Sequence, residues 1–125
     1  MTILIVEDNP NVRRLIRRAA SEIADEIFEC EDGAGSLAAY AAHHPDLVLM
    51  DVRMPLMDGL SATRVLLAQY PDAKVIIVTD YNDEELRAAA REAGAFGYAL
   101  KHNLTELDAV ILEAYGRPSN AAGDA

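Results

Sequence analysis

The chain has 125 residues, enough for one hydrophobic core and too few for two. Half of it is apolar, and 11 basic residues stand against 21 acidic ones, a net charge of −10 that argues against the chain gripping nucleic acid. Cys30 is the single cysteine, which excludes an internal disulfide and a cysteine-based metal site, and no apolar run approaches membrane-spanning length.

The opening "MTILIVED" is too short and too acidic for a signal peptide, so a cytoplasmic protein is expected. Within it, "TILIV" (2–6) reads as a buried strand. Pro10 suits a first helical position, and an amphipathic pattern follows over 10–23. The strand "EIFEC" (26–30) and a helix over 34–43 come next, then "DLVLM" (46–50) and a helix over 60–69. "KVIIV" (74–78) leads to a helix over 83–93. Asn82 is its expected cap, Asp83, Glu84 and Glu85 suit its dipole, and Gly94 stops it. "GYAL" (97–100) is the fifth strand, and the last helix is expected over 104–115. Strands that are apolar throughout are covered on both faces. Five βα repeats therefore predict an α/β fold, a five-stranded parallel doubly wound sheet in the common order 2-1-3-4-5. After Tyr115 the segment "GRPSNAAGDA" turns small and polar. A domain over 1–117 and a flexible tail or start of a linker over 118–125 are expected.

In open parallel sheets, functional groups gather beyond the carboxyl ends of the strands. Those ends carry Glu7 and Asp8, then Asp51, Thr79 and Lys101. A strand-end acid can be a helix cap, a metal ligand or a nucleophile. Three carboxylates brought together repel, and Lys101 offers one positive charge against them. A hard divalent ion such as Mg²⁺ fills the deficit and commonly takes carboxylates, waters and a phosphate. The bland reading has each acid capping the following helix; the five residues together favour a metal-assisted phosphoryl site.

On these residues, with "MPLMDG" after Asp51 and "GAFGYALK" ending at Lys101, the chain resembles the receiver domain of two-component response regulators over residues 2–115. The segments "MDVRMPLMDGLSATRVL" and "KHNLTELDAVI" look most like receivers that precede helix-turn-helix output domains. The resemblance implies a flavodoxin-like receiver topology and a phosphoacceptor, Asp51, charged by a sensor histidine kinase or a phosphotransfer protein. Asp8, Asp51 and the main-chain carbonyl of Arg53 would hold Mg²⁺ directly, and Glu7 would act through water. Lys101 would neutralise phosphoryl oxygens, Thr79 would donate its hydroxyl to them, and Tyr98 would turn inward as the switch. The resemblance leaves room for a homodimer on phosphorylation. It implies a phosphorylated signalling domain, not an enzyme acting on a separate substrate, and no partner in nucleic acid or membrane.

Two positions depart from the family pattern. Asp80 stands where a small residue is usual and should repel an incoming phosphate unless Arg53 or solvent screens it. His102 stands where many receivers have proline, so the last loop is expected to be set differently. Elsewhere the bland readings prevail. The pairs Arg13/Arg17 and Arg14/Arg18 read as a solvated basic face, with docking to an acidic kinase surface as the sharper alternative. His43 and His44 suit a helix end, and Met50, Met54 and Met57 read as packing. Three rival functions bear on the same residues. A haloacid-dehalogenase phosphatase needs an acid where Arg53 stands. A flavin binder needs a Ser/Thr/Gly loop where "VEDNPNV" is acidic. A scaffold without phosphorylation is compatible with Asp80.

Overall fold

A computed structural model describes residues 1–116; the expected boundary after 117 and the tail 118–125 lie outside the described residues. Strands and helices alternate. They are β1 (Thr2–Val6), α1 (Pro10–Ala20), β2 (Glu26–Cys30), α2 (Gly33–His43), β3 (Leu47–Asp51), α3 (Gly59–Gln69), β4 (Val75–Thr79), α4 (Glu84–Ala93), β5 (Gly97–Leu100) and α5 (Leu107–Gly116). The strands form one parallel sheet in the order β2-β1-β3-β4-β5, as the sequence predicts.

Strand side chains alternate between the two faces, and the core divides accordingly. Ile3, Ile5, Leu47, Leu49, Ile76 and Val78 pack with Ile16 of α1 and Leu107 and Ile111 of α5. Leu4, Val6, Val48, Met50, Val75 and Ile77 pack with Tyr40 of α2, Leu66 of α3 and Ala90 of α4. Each fully buried Leu or Ile contributes roughly 1.5–3 kcal/mol, which makes this two-sided burial the main stabilising term. The edge strand β2 differs: Glu26 and Glu29 are exposed, giving it the polar face the central strands lack.

Several boundaries move from their expected places. β3 and β4 each run one residue later, so Asp51 and Thr79 belong to the ladder, opposite Val78 and Leu100. α1 stops at Ala20, short of 23, where the Ser21 hydroxyl donates to the Arg18 carbonyl at 2.8 Å and competes with the helical pattern. α5 begins at Leu107, later than 104. Residues 101–106 form a tighter 3-10 stretch, broken at Asn103 by φ −135° and ψ 55°. Asn82 is not the cap of α4. Asp83 is, accepting from Glu85 N–H at 2.8 Å, while Asn82 accepts from Arg87 Nε at 3.1 Å. Gly94 ends α4 as expected, with φ 99° that a side chain would strain.

The far end of α5 is tied to the sheet. Lys74, just before β4, donates from Nζ to the carbonyls of Ala114 and Tyr115 at 3.1 and 3.2 Å. Its ammonium also lies 5.2 Å from the Phe96 ring centroid. A cation at a helix C-terminus satisfies carbonyls that the helix itself leaves unpaired.

Candidate functional site

Asp51 ends β3, 4% exposed, and Glu7 follows β1 at 1% exposure. The two-residue period explains why they meet. Glu7 continues the row Ile3, Ile5; Asp51 continues Leu47, Leu49; and Lys101 continues Ala99, all on the side of α1 and α5. Lys101 Nζ stands 2.8 Å from Asp51 Oδ1 and 2.8 Å from Glu7 Oε1. Asp8 is exposed at the rim, and one carboxylate oxygen from each of Glu7, Asp8 and Asp51 lies within 4.8 Å of the others.

Helix capping does not account for these acids. Asn9 caps α1, accepting from Asn11 and Val12 N–H, and Asp32 and Asp58 cap α2 and α3. Asp8 and Asp51 are left free of that duty. Glu7 makes one local contact, Oε2 accepting from Asn9 N–H at 3.2 Å.

One ammonium serves both buried carboxylates. Burial pushes the Glu7 carboxyl up to about 7, with Asp51 adding to the rise and Lys101 only partly opposing it. Burial pulls the Lys101 ammonium down, but the bonds to Asp51 and Glu7 outweigh it, and its pKa ends above the usual lysine value. Glu7 Oε1 is enclosed, and its ion-pair partner is the Lys101 ammonium that it shares with Asp51. The main-chain carbonyl of Arg53 accepts no hydrogen bond among the described residues. Three clustered acids with one ammonium among them and a free carbonyl fit a hard, oxygen-seeking divalent cation and its waters.

The loop from Val52 to Asp58 is pulled tightly over β3. Gly59 N–H donates to the Val52 carbonyl at 2.8 Å. A Cβ on Gly59 would sit 1.8 Å from the Asp51 carbonyl oxygen, so only glycine lets α3 begin there. Beside it an open cavity of about 620 Å³ is lined by Asp8, Val52, Arg53, Met54, Pro55, Asp58 and Leu60.

Thr79 and Tyr98 occupy the other row. Thr79 continues Val75 and Ile77 and is 2% exposed, and half-buried Tyr98 packs against the same α2–α4 side of the core. The residue joining them is Tyr81. Its N–H approaches Thr79 Oγ1 at 3.4 Å, and its carbonyl accepts a short hydrogen bond from the Tyr98 hydroxyl. Arg53 lies over its ring, Cζ 4.4 Å from the centroid, and Arg87 lies over the Tyr98 ring at 4.3 Å.

A family model, the response regulator receiver domain, matches residues 3–112. The chain belongs to that family. It is 38% identical to the regulatory protein AtoC of Escherichia coli over 90% of its own length and 24% of AtoC's. It is 35% identical to the chemotaxis protein CheY of Halobacterium salinarum, covering 79% of this chain and 82% of that one. The solved structure of a LuxR-family response regulator from Aurantimonas aligns with a TM-score of 0.85 at 29% identity, covering 98% of this chain and 92% of that one. This receiver spans a quarter to a half of the length of the curated relatives it matches first.

The remaining sequence expectations sort cleanly in the receiver. Arg14, Arg17 and Arg18 are exposed, as a solvated face requires, while Arg13 is half-buried. Arg13 and Arg17 both reach Glu29 of β2, at 3.1 and 2.6 Å, and Arg13 also donates to the Glu7 carbonyl at 2.8 Å. Asp80 is exposed, and no ion pair joins it to Arg53, which lies over the Tyr81 ring. Among the described residues every peptide bond is trans, including that before His102. His43 stacks on Phe28 with centroids 3.6 Å apart, and His44 meets Tyr40 and Tyr70 edge-on, so both are packing groups. Burial pushes the Cys30 thiol up to about 11. No helix among the described residues is long and apolar enough to cross a membrane. The sequence reading passed over Gly59 as a residue of the site and Tyr81 as a junction. The first could have been sought where Asp-Gly closes a short loop; the second has no local signal.

Proposed function

We propose that this receiver takes a phosphoryl group onto Asp51 from a phosphohistidine of a sensor histidine kinase or phosphotransfer protein. One observation carries the reading. A buried, uncapping carboxylate ends a central strand with Lys101 on its Oδ1, while no donor among the described residues pairs with Oδ2. In the transfer an Asp51 oxygen forms a bond to phosphorus as the phosphorus–nitrogen bond breaks, and the imidazole leaves with the electron pair and takes a proton.

Asp8, Asp51 and the Arg53 carbonyl would hold Mg²⁺, with Glu7 acting through water. Bound there, the ion supplies positive charge to the phosphoryl oxygens and relieves the crowding of acids. Lys101 supplies a second, fixed positive charge. The Thr79 hydroxyl donates to the phosphoryl group, and its displacement draws on Tyr81 and so on Tyr98. Exposed Arg14 and Arg18 offer cationic contacts to an acidic partner surface. The domain acts as a signalling element in the cytoplasm, changing its own state without turning over a separate substrate. Dimerisation on phosphorylation and a helix-turn-helix output domain are the matching form of response.

The experiment is labelling with acetyl phosphate and Mg²⁺. One base-labile phosphoryl group per chain is expected, and none in Asp51→Asn, whose amide is not a competent nucleophile. Equal labelling of Asp51→Asn would place the acceptor elsewhere.

A further inference from the structure

We propose that Arg13 is a positioning residue for the acid cluster: it fixes the turn after β1 on which Glu7 and Asp8 stand, and Glu29 of the edge strand aims it. This rests on the Mg²⁺ site proposed above. Of the three acids, Asp8 has the least local support. Glu7 and Asp51 are buried and paired with Lys101, whereas Asp8 is exposed, lies past the end of β1 and has no side-chain partner among the described residues. The direction of Asp8 is therefore set by the main chain that carries it. That main chain is held at Glu7 from both sides. Glu7 N–H donates to the Cys30 carbonyl of β2 at 3.1 Å. The Glu7 carbonyl, part of the peptide unit that joins Glu7 to Asp8, accepts from Arg13 Nη1 at 2.8 Å.

Arg13 reaches that carbonyl because it is itself held. Its Nε donates to Glu29 Oε1 at 3.1 Å, and Arg17, one helical turn on, donates from Nη1 to the other oxygen of the same carboxylate at 2.6 Å. Glu29 pairs in register with Ile5, whose side chain lies on the α1 and α5 side, so the sheet presents Glu29 to α1. The Arg13 side chain is 15% exposed against 47% for Arg17, which marks Arg13 as the inward member of the pair. A guanidinium presents its donors in a rigid fork, so one group takes Glu29 and the Glu7 carbonyl together. A lysine ammonium on its flexible stem is not pre-organised to do so. A cation on this turn opposes a metal bound to the same turn by charge alone. Charge and position therefore predict opposite outcomes when Arg13 is removed.

The test is Mg²⁺ titration of the full chain, followed by the amide NMR signals of Asp8 and Asp51. Arg13→Met should weaken binding by about tenfold, the lower end for groups that orient a metal's ligands, although it removes a positive charge. Arg13→Lys keeps the charge and loses the fork, and should also weaken binding; it carries the test if Arg13→Met does not fold. Glu29→Gln should weaken binding by about two- to threefold and add nothing in an Arg13→Met background. Arg17→Met, which loses a contact to Glu29 but none to Glu7, should bind no more weakly than wild type. The carbonyl-carbon shift of Glu7 in metal-free protein reads the contact itself and should move in Arg13→Met. Acetyl phosphate labelling of Arg13→Met should be slow at low Mg²⁺ and return to the wild-type rate at saturating Mg²⁺. Equal or tighter Mg²⁺ binding by both Arg13 variants overturns the positioning role, as does labelling that stays slow at saturating metal. Additive effects of Glu29→Gln and Arg13→Met overturn the part given to Glu29. Wild type in which neither signal moves at millimolar Mg²⁺ overturns the metal site together with the role of Arg13.

Discussion

At the carboxyl ends of the strands two rows of side chains stand side by side, one carrying Glu7, Asp51 and Lys101 and the other Thr79 and Tyr98. The first row continues residues that face α1 and α5; its two acids are buried, and each pairs with the half-buried Lys101 at 2.8 Å. The second continues residues that face α2 to α4, and it leads into an exposed loop held by one hydroxyl and two guanidinium contacts. Charge must stay fixed to be useful in phosphoryl transfer, whereas a switch must have a second position within reach. Alternation along a strand separates these demands without any extra element.

Removing the fixed charge should cost most. Lys101→Met is expected to slow acetyl phosphate labelling on the order of a hundredfold, the scale of losing one electrostatic stabiliser. Thr79→Ala should still be labelled while losing the amide shift changes around Tyr81 that follow phosphorylation. If Lys101→Met labels as fast as wild type, the rows do not divide the work in this way.

Gly59→Ala probes the scaffold of the first row. The added carbon meets the Asp51 carbonyl at 1.8 Å, so α3 or the end of β3 must shift. A stability loss of about 2 kcal/mol or more is expected, with labelling slowed further than stability alone accounts for. Denaturant melts beside labelling rates separate the two effects. A variant with wild-type values in both would mean the close approach is dispensable.

The pH dependence of the metal-free protein sharpens the comparison. Glu7 has a folded pKa raised to about 7 by burial, above its ordinary 4.5. Between those values the folded state binds the extra proton, so this group's contribution is full below 4.5 and is lost as pH rises through about 7. Glu7→Gln should remove that part of the decline, at most about 3.4 kcal/mol. Parallel curves for wild type and Glu7→Gln between pH 5 and about 8 would show that Lys101 holds Glu7 ionised.

The smallest effect belongs to the exposed loop. Asp80→Ala should speed labelling by small phosphodonors at most about fivefold, because solvent already screens that carboxylate. The gain should shrink with salt. Slower labelling would reverse the sign of its role.

The sheet order and the acid cluster were legible because both depend on short periods. Apolar runs with helical spacers specify the topology, and five polar residues at strand ends specify the crevice. Boundaries were less so. Ser21 ends α1 by bonding back to Arg18, and Asn103 interrupts the last helix, both local competitions that a hydrophobic pattern does not record. The ion pairs of Arg13 and Arg17 were hidden for another reason. Their partner Glu29 lies on β2, and nothing within the helix announces an acid brought alongside by the sheet. Tyr81 is the plainest omission, since its importance lies in contacts with Arg53 and Tyr98, which are distant in sequence.

Lys74 grips the last carbonyls of α5 at the amino end of β4, while Thr79 stands at the carboxyl end of the same strand. Five residues of extended chain separate those poles by roughly 16 Å. β4 is clamped between two neighbouring strands with every side chain buried, so it does not slide like a piston. On the proposed function, an event at Asp51 would therefore be read in what the domain's flank presents to a neighbour, rather than in a tug along β4.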